Sequence, residues 1–305
     1  MIQSGKKQFA TLLGFAAIFI WSFSIAVSRS LTEKLGHFTA GSLLFLVGGV
    51  ASIILPAIKK RSFGFLRQYS PRYLLICGSL FVGYQLCFYL AIGRAVVRQQ
   101  VLEVALIHYL WIPITILLSV LLLRKRSGFW LLPGIGIALA GILLANMQGA
   151  GLSLRPFLEN LTKTPLPYIF ALSCAFLWAF YSVLSNKFSE KNSLSGVPIF
   201  LLASGLALGI CRLLFPEQSE WDIRTILEFV SYVVFTIIFG YSFWDFAMRK
   251  GNIVLVTALS YFIPLSSTIL SSVYLKVPLT ASLWAGSIMI ILGALLCSLS
   301  VKDPN

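Results

Sequence analysis

Ten apolar segments, each about 20 residues long, follow one another along the chain with only short polar linkers between them. A helix of that length spans the hydrocarbon core of a bilayer. We therefore predict an all-α integral membrane protein with ten transmembrane helices. The segments are Phe9–Arg29, Phe38–Ile58, Tyr73–Gly93, Gln99–Leu123, Trp130–Met147, Pro167–Lys187, Val197–Phe215, Thr225–Met248, Asn252–Leu275 and Ser282–Val301.

Composition supports the membrane class. Of the 305 residues, 58% are hydrophobic and 11% are charged, and the mean hydropathy is +0.89, which is outside the range of soluble domains. The net charge of +14 is spread over the short linkers, so it indicates membrane topology and argues against a nucleic acid partner. The five cysteines lie in apolar segments without metal-ligand spacing. They are interpreted as inert thiols, and no metal or cofactor is predicted.

The distribution of basic residues predicts the orientation. If the N-terminus is cytoplasmic, 15 of the 24 Lys and Arg residues fall on the cytoplasmic side. The positive-inside rule then places both termini in the cytoplasm. The first segment follows Lys6 and Lys7 and also resembles a cleaved signal peptide. Its apolar run is long, however, and an internal repeat needs it, so we predict that it stays as the first helix.

The chain contains an internal repeat. A shift of 157 residues aligns Trp21 with Trp178, and it aligns Gly83-Tyr84 with Gly240-Tyr241. This predicts two five-helix repeats, residues 1–150 and 151–305. Because each repeat has an odd number of spans, the second enters the membrane from the opposite side, which makes a 5+5 inverted-topology repeat. Such repeats supply the two related conformations that alternating access requires.

Gln99–Leu123 combines a membrane-spanning length with residues that are costly at membrane depth. Its first half carries large polar or aromatic side chains at Glu103, His108, Tyr109 and Trp111, and Pro113 interrupts its middle. Such groups need protein or a water-filled cavity around them. We predict that this stretch forms one wall of a substrate pathway.

Pro113 and Pro264 occupy matching positions in the two halves. Each is expected to free the carbonyl four residues earlier, at Tyr109 and Ser260. Helix breaks at matching repeat positions indicate a transporter's binding site. The alternative is a packing kink that neighbouring helices satisfy.

Glu103 and His108 are candidate substrate-binding residues. Glu103 could receive a substrate ammonium or carry a coupling proton, or it could form an interfacial ion pair with Arg94 or Arg98. His108 could contact substrate or be a hydrogen-bonded structural histidine. Tyr109 lies roughly 200° from Trp111 around the helix, so we expect only one of them to point straight into a cavity and the other to pack against a neighbouring helix.

Aromatic residues recur as repeat mates. The candidate lining rings are Trp21, Trp178, Tyr84, Tyr109, Trp111 and Tyr261, with Tyr241 as the mate of Tyr84. Such rings would stack on a substrate ring and attract an ammonium group. The alternative is that they form interfacial belts or fill the core.

Two features are interpreted as structural. Asp245 and Arg249 have the spacing of an i,i+4 ion pair near a helix end. Small residues at Gly205, Gly209, Gly134–Gly141 and Gly286–Gly293 allow close helix packing, either within the chain or in a homodimer.

The repeat, the Trp in the first helix of each half and the Pro in the fourth resemble the EamA-type branch of the drug/metabolite transporter superfamily. Within it, VLEVALIHYLWIPITILLSVLL and the preceding LFVGYQLCFYLAIG are similar to the bacterial aromatic amino acid exporters. The resemblance implies a secondary transporter of the inner membrane that exports, by alternating access, a compound with an aromatic ring and an amino acid head. Exchange of S-adenosylmethionine for S-adenosylhomocysteine, as in superfamily members of intracellular bacteria, is the alternative.

Two other function classes fit less well. An intramembrane enzyme would need a third positioned group beside Glu103 and His108, and the sequence shows none. A membrane scaffold would have no use for paired helix breaks. The chain also lacks a P-loop, so it does not hydrolyse ATP through that motif.

Overall fold

The computed structural model describes residues 2–60, 70–124, 126–145, 154–189, 195–252, 255–257, 260, 262–276 and 280–302. The described chain is almost entirely helical. A single antiparallel pair of two-residue strands, β1 (Arg126–Ser127) and β2 (Val301–Lys302), accompanies the helices in this part of the chain, and it pairs Arg126 with Lys302 and Ser127 with Val301.

The helices follow the predicted segments, with additional breaks. The first half contains α1 (Ile2–Trp21), α2 (Ser24–Leu35), α3 (His37–Lys60), α4 (Pro71–Gly93), α5 (Arg98–His108), α6 (Trp111–Leu122), β1 (Arg126–Ser127) and α7 (Leu131–Ala145). The remainder contains α8 (Arg155–Lys163), α9 (Leu166–Ser189), α10 (Val197–Leu214), α11 (Ile223–Ser231), a π-helical segment (Tyr232–Gly240), α12 (Tyr241–Lys250), α13 (Phe262–Leu275), α14 (Ala281–Ser300) and β2 (Val301–Lys302).

Six stretches in the described chain are long and apolar enough to cross a membrane, and the α1–α2 pair makes seven if it counts as one bent span. Two shorter apolar helices, Leu131–Ala145 and Ala281–Cys297, coincide with two further predicted segments. The chain is therefore a multi-pass α-helical membrane protein. The count of ten spans stays a prediction.

The first predicted segment is not one straight helix. α1 and α2 are inclined by 43° across a break at Ser22 and Phe23. No proline causes the break. The Ser22 hydroxyl donates to the Ile18 carbonyl at 3.1 Å, and the Ser24 hydroxyl donates to the Trp21 carbonyl at 2.8 Å, so serine side chains take up the carbonyls at the bend.

The predicted segment Thr225–Met248 is continuous but irregular. It lies within a 28-residue stretch, Ile223–Lys250, whose middle is the π-helical segment. The Asp222 side chain caps α11 by accepting a hydrogen bond from the Thr225 backbone N–H at 2.7 Å, and this bond lowers the pKa of the Asp222 carboxyl.

The linker between the two halves contains a nine-residue helix, α8, where the sequence pattern predicts only a polar connection. α8 is amphipathic, with Phe157 buried against Tyr168 of α9 at a centroid distance of 5.6 Å. α8 therefore ties the linker to the bundle.

Helices of the first half pack against helices of the second half, and the repeat relates these pairs either to themselves or to each other. The most extensive contacts join α7 to α14, α3 to α10, α4 to α9 and α1 to α12. Glycines allow this close approach. A Cβ at Gly205 of α10 would lie 2.6 Å from the Leu46 nitrogen of α3, and a Cβ at Gly49 would lie 2.6 Å from the Leu202 nitrogen.

α7 and α14 pack through four glycines in two reciprocal pairs. A Cβ on Gly134 would lie 2.5 Å from the Gly293 carbonyl oxygen, and one on Gly141 would lie 2.7 Å from the Gly286 carbonyl oxygen. These small surfaces are thus occupied within one chain. Of the two uses that the sequence left open for these glycines, the structure shows the packing within one chain, and a homodimer stays untested.

Candidate functional site

A cavity of about 490 Å³, called here the central cavity, lies between helices from both halves of the chain. α1, α2, α4, α5, α6, α9, the π-helical segment, α12 and α13 all contribute to it, together with the break after α5. Its described lining is Trp21, Ser24, Ile25, Tyr84, Phe88, His108, Tyr109, Trp111, Trp178, Tyr232, Thr236, Tyr241 and Ile263.

The structure brings six of the eight predicted substrate-binding residues to this cavity. They are Trp21, Tyr84, His108, Tyr109, Trp111 and Trp178. Trp21, Tyr84 and Trp178 reach it from α1, α4 and α9, where α4 packs on α9 and α1 on α12. His108, Tyr109 and Trp111 come from α5, α6 and the turn between them, which also pack on α9.

The expectation that only one of Tyr109 and Trp111 faces a cavity is wrong. Both line the central cavity because the helix does not run unbroken between them. α5 ends at His108, Tyr109 and Leu110 form a turn, and α6 begins at Trp111. The angular spacing of a continuous helix therefore does not apply across this break.

Four rings that the repeat pairs with one another are in contact. The centroids of Tyr84 and Trp178 are 4.7 Å apart, those of Trp21 and Tyr241 are 5.3 Å apart, and those of Trp21 and Trp178 are 5.5 Å apart. All four side chains line the cavity. Edge-to-face and tilted contacts at such distances hold rings in fixed orientations.

Trp244 extends this aromatic cluster. Its fully buried ring lies 5.2 Å from Trp21 and 5.5 Å from Trp111, measured between centroids. Gly240 makes room for Trp21, since a Cβ there would lie 2.5 Å from the Trp21 indole nitrogen. The cluster thus positions the Trp21 ring at the end of α1.

Several lining residues were not among the predicted site residues. Tyr241 had a signal, because it is the repeat mate of Tyr84. No sequence pattern pointed to Tyr232 and Thr236, because their inward orientation depends on the π-helical segment. Ser24 and Ile25 lie just beyond the α1–α2 break, which the sequence pattern did not predict.

His108 is buried at the edge of the cavity, with 9% of its surface exposed. Within the described residues neither ring nitrogen has a hydrogen-bond partner. The rings of Tyr84, Phe88 and Tyr109 surround it, each at a centroid distance of 5.8 Å. The interpretation of His108 as a hydrogen-bonded structural histidine therefore finds no support in this part of the chain.

Glu103 lies apart from the described lining of the central cavity. The Tyr168 hydroxyl donates to its carboxylate at 2.5 Å, and the Asn160 side-chain amide donates at 3.3 Å. Arg98, one of the two predicted partners of Glu103, forms an ion pair with Glu33 at 2.6 Å. Glu103 thus connects α5 to α9 and to the linker helix α8.

The two predicted helix breaks lie just before their prolines. α6 begins two residues before Pro113, and α13 begins two residues before Pro264. The Tyr109 carbonyl, expected to be free, accepts a hydrogen bond from the Ile112 N–H at 3.1 Å, and the Ser260 carbonyl accepts one from Ile263 at 3.0 Å. Each carbonyl therefore accepts a hydrogen bond from the N–H of the residue three positions later, and neither is free.

The remaining predicted residues lie elsewhere. Tyr261 is outside the described residues. Asp245 and Arg249 form the predicted pair at 3.8 Å, with both side chains buried, and the Ser185 hydroxyl donates to the Asp245 carboxylate at 3.2 Å. This cluster lies outside the described lining of the cavity.

The described lining of the central cavity contains no Lys, Arg, Asp or Glu. Its polar groups are hydroxyls and the His108 imidazole. Such a site can bind rings by stacking and edge contacts, and it can offer hydrogen bonds to a polar head group. Because the lining carries no formal charge besides that available to His108, it suits a ligand of low net charge.

Comparison with known proteins agrees with this architecture. The chain is 31% identical over 297 residues to the aromatic amino acid exporter YddG of Escherichia coli, covering 97% of this chain and 99% of the relative. It is 30% identical over 296 residues to YddG of Salmonella typhimurium, with the same coverage. A solved crystal structure superimposes with a TM-score of 0.73 and 28% identity, covering 96% of this chain and 97% of the other.

A family model gives the broader assignment. The model of the EamA-like transporter family matches residues 8–147 and again residues 165–299. The relatives and the family are transporters, which confirms the predicted resemblance and the prediction that the protein is not an enzyme. With its apolar helices and a cavity between them, the chain is a multi-pass inner-membrane transporter that belongs to the EamA-like transporter family.

Proposed function

We propose that the protein is a secondary transporter that exports aromatic amino acids, and that the central cavity is its binding site. The observation that carries the proposal is a cavity lined by aromatic rings, with no carboxylate or basic side chain other than His108 in its described lining. An aromatic amino acid at neutral pH is a zwitterion of zero net charge with a large ring. A ring-lined site of low charge suits both properties.

The ring and the head group would be bound by different parts of the cavity. Trp21, Trp178 and Tyr84 offer faces and edges to a phenyl, phenol or indole ring. His108 offers two buried ring nitrogens that lack partners in the described chain, and Ser24 offers a hydroxyl nearby on α2. A substrate ammonium or carboxylate would satisfy the imidazole, whose burial without a hydrogen bond is otherwise costly.

We infer alternating access from an inverted repeat of residues 1–150 and 151–305. If the halves are exchanged, the Trp21–Tyr241 contact becomes the Trp178–Tyr84 contact, and both contacts are present at 5.3 and 4.7 Å. In the same way, the contact of Gly134 with Gly293 becomes the contact of Gly286 with Gly141. Two separate matches to one family model, at residues 8–147 and 165–299, support the same division. Rocking of one half against the other would open the cavity to each side in turn.

The names of the relatives support the substrate class. Both YddG proteins, which the chain matches over almost their whole length, are called aromatic amino acid exporters. The excess of Lys and Arg on one side supports a cytoplasmic position for both termini. The exported compound would then enter the cavity from the cytoplasm.

Exchange of S-adenosylmethionine is less well supported. That compound carries a net positive charge at neutral pH, and Glu103 is the acidic residue that the sequence offers as a partner for a cationic substrate group. In the structure Glu103 accepts hydrogen bonds from Tyr168 and Asn160 instead of lining the cavity. Aromatic faces alone would have to hold the sulfonium.

Counterflow in proteoliposomes tests the proposal. Labelled tryptophan is supplied outside, and unlabelled aromatic amino acids, alanine or S-adenosylhomocysteine are loaded inside, with protein-free vesicles as the control. We expect accumulation of label driven by tryptophan, phenylalanine and tyrosine but not by alanine. Inert tryptophan together with uptake of labelled S-adenosylmethionine, driven by S-adenosylhomocysteine, would replace the proposal with the exchanger.

A further inference from the structure

A second opening of the bundle lies on its outer surface, between the α1–α2 break and the π-helical segment. We call it the lateral groove. It has a volume of about 690 Å³. Its walls include Phe19, Phe23 and Val27 on one side and Tyr232, Phe235 and Thr236 on the other.

The lateral groove faces the acyl chains of the bilayer. The α1–α2 break lies near the middle of the bent pair Lys7–Leu35, and Thr236 lies near the middle of the span Ile223–Lys250. Phe19, Phe235 and Phe23 are 70%, 54% and 43% exposed at this level. Apolar rings exposed at mid-span contact lipid, so the bilayer itself covers this groove.

The groove adjoins the central cavity. Tyr232 and Thr236 line both the lateral groove and the central cavity, and both are buried, at 5% and 7% exposure. Their side chains stand between the lipid-facing space and the aromatic rings of the cavity. A displacement of these two side chains would therefore join the two spaces.

Both walls of the groove are built from irregular helix. On one side the α-helical ladder is interrupted at Ser22 and Phe23, and on the other it is replaced by the π-helical segment. Irregular helical backbone at membrane depth marks functional sites, and a π-helix that returns to the α form rotates the residues it carries. The Ser22 hydroxyl shares a hydrogen bond of 2.7 Å with the Ser266 hydroxyl, which links the break to α13 behind it.

We propose that the lateral groove is a portal through which aromatic amphiphiles dissolved in the bilayer reach the central cavity. The inference rests on the proposed function, because it assigns a second route and a second substrate class to the same cavity. The ligand class is a compound with an aromatic ring that enters the cavity and an acyl or alkyl chain that stays in the lipid. Water-soluble aromatic amino acids would still use the aqueous route.

The test uses tryptophan counterflow in vesicles that contain N-dodecanoyl-tryptophan, which its acyl chain anchors in the bilayer. N-dodecanoyl-alanine at the same mole fraction controls for effects on the bilayer. We expect the tryptophan derivative, and not the alanine derivative, to inhibit counterflow. Absence of this inhibition while tryptophan is transported would overturn the portal and leave the proposed function intact.

Two groove variants locate the inhibition. Val27→Trp fills the groove, and we expect it to raise the half-inhibiting mole fraction about tenfold, equivalent to about 1.4 kcal/mol, with tryptophan counterflow unchanged. Phe235→Ala widens the groove and is expected to lower that mole fraction. Phe239→Ala is the matched control, because Phe239 is also exposed on the π-helical segment, at 41%, outside the described groove lining.

The outcomes separate the two proposals. Inhibition that is the same in wild type, Val27→Trp and Phe235→Ala would overturn the portal, because the derivative would then reach the site by another route. If Val27→Trp does not fold, Phe235→Ala against Phe239→Ala decides the question alone. Failure of every aromatic amino acid to drive counterflow would instead overturn the proposed function, and the portal with it.

Discussion

The edge of the Trp21 ring meets the Trp178 ring, with centroids 5.5 Å apart and planes inclined by 75°. These two residues are 157 positions apart and come from the first helix of each half. Their contact brings the two halves together at the central cavity. The rings that would bind substrate are therefore also the rings through which the halves touch.

Replacement of Trp178 by Phe is expected to weaken tryptophan transport. The substitution removes part of a ring that contacts Tyr84 at 4.7 Å and Trp21 at 5.5 Å. Each aromatic contact contributes about 0.5–1.5 kcal/mol, so we expect the half-saturating tryptophan concentration to rise about tenfold. Trp284→Phe, at a 39% exposed position outside the described cavity lining, is the matched control. Equal effects of the two variants would argue against a binding role for Trp178.

Gly240→Ala is expected to displace the Trp21 ring and slow transport several-fold. The added Cβ would lie 2.5 Å from the Trp21 indole nitrogen, closer than atoms can approach. The repeat mate, Gly83, provides the control, because a Cβ there would meet Leu177 at an ordinary 3.5 Å. Initial rates of counterflow, normalised to folded protein, measure both variants. Slower transport in Gly83→Ala than in Gly240→Ala would contradict the explanation.

Pro113→Ala is expected to impair transport while membrane insertion stays normal. Alanine supplies an N–H that can bond to the Tyr109 carbonyl four residues back, which competes with the present bond from Ile112 and straightens the break. Tyr109 and Trp111 would then no longer both face the cavity. Pro71→Ala is the control, since Pro71 begins α4, where a helix needs no N–H from it. Wild-type counterflow in Pro113→Ala would refute a functional break.

Glu103→Gln is expected to retain tryptophan transport, because an amide oxygen can still accept the hydrogen bond from Tyr168. Glu103→Ala leaves that hydroxyl without its acceptor and is expected to destabilise the protein by about 1–3 kcal/mol. Thermal unfolding monitored by size-exclusion chromatography measures the difference in stability between Glu103→Gln and Glu103→Ala. In a Tyr168→Phe background, which lacks the donating hydroxyl, most of this difference should disappear. Loss of transport in a stably folded Glu103→Gln variant would instead support the hypothesis that Glu103 carries a coupling proton.

Gly293→Ala is expected to destabilise the bundle by about 1–3 kcal/mol, because its Cβ would force α7 and α14 apart. That atom would lie 2.4 Å from the Gly134 carbonyl oxygen. Gly136→Ala on α7 is the matched control, since no atom lies within 4 Å of its added Cβ. Unfolding temperatures in detergent compare the two. Equal temperatures would mean that the glycine contact contributes nothing to stability.

Local features of the sequence were sufficient for several conclusions. Runs of about 20 apolar residues identify membrane helices because lipid selects for apolar side chains and internally bonded backbone. The spacing of 157 residues paired Trp21 with Trp178 and Tyr84 with Tyr241, and the structure brings all four to one cavity. The family resemblance, which rested on the repeat, on its paired Trp and Pro residues and on the sequence between residues 80 and 122, is confirmed.

Only the tertiary structure showed the break in the first span, the inward orientation of two lining residues and the true surroundings of Glu103. These features depend on contacts between segments that are distant in the sequence. The break at Ser22 carries no proline, and Tyr232 and Thr236 face inward only because a π-helical segment sets their direction. Glu103 has the pattern of a pathway acid, yet Tyr168, 65 residues away, accounts for its position. A sequence records which residues suit lipid or helix, whereas the packing of one helix on another selects the face that each residue presents.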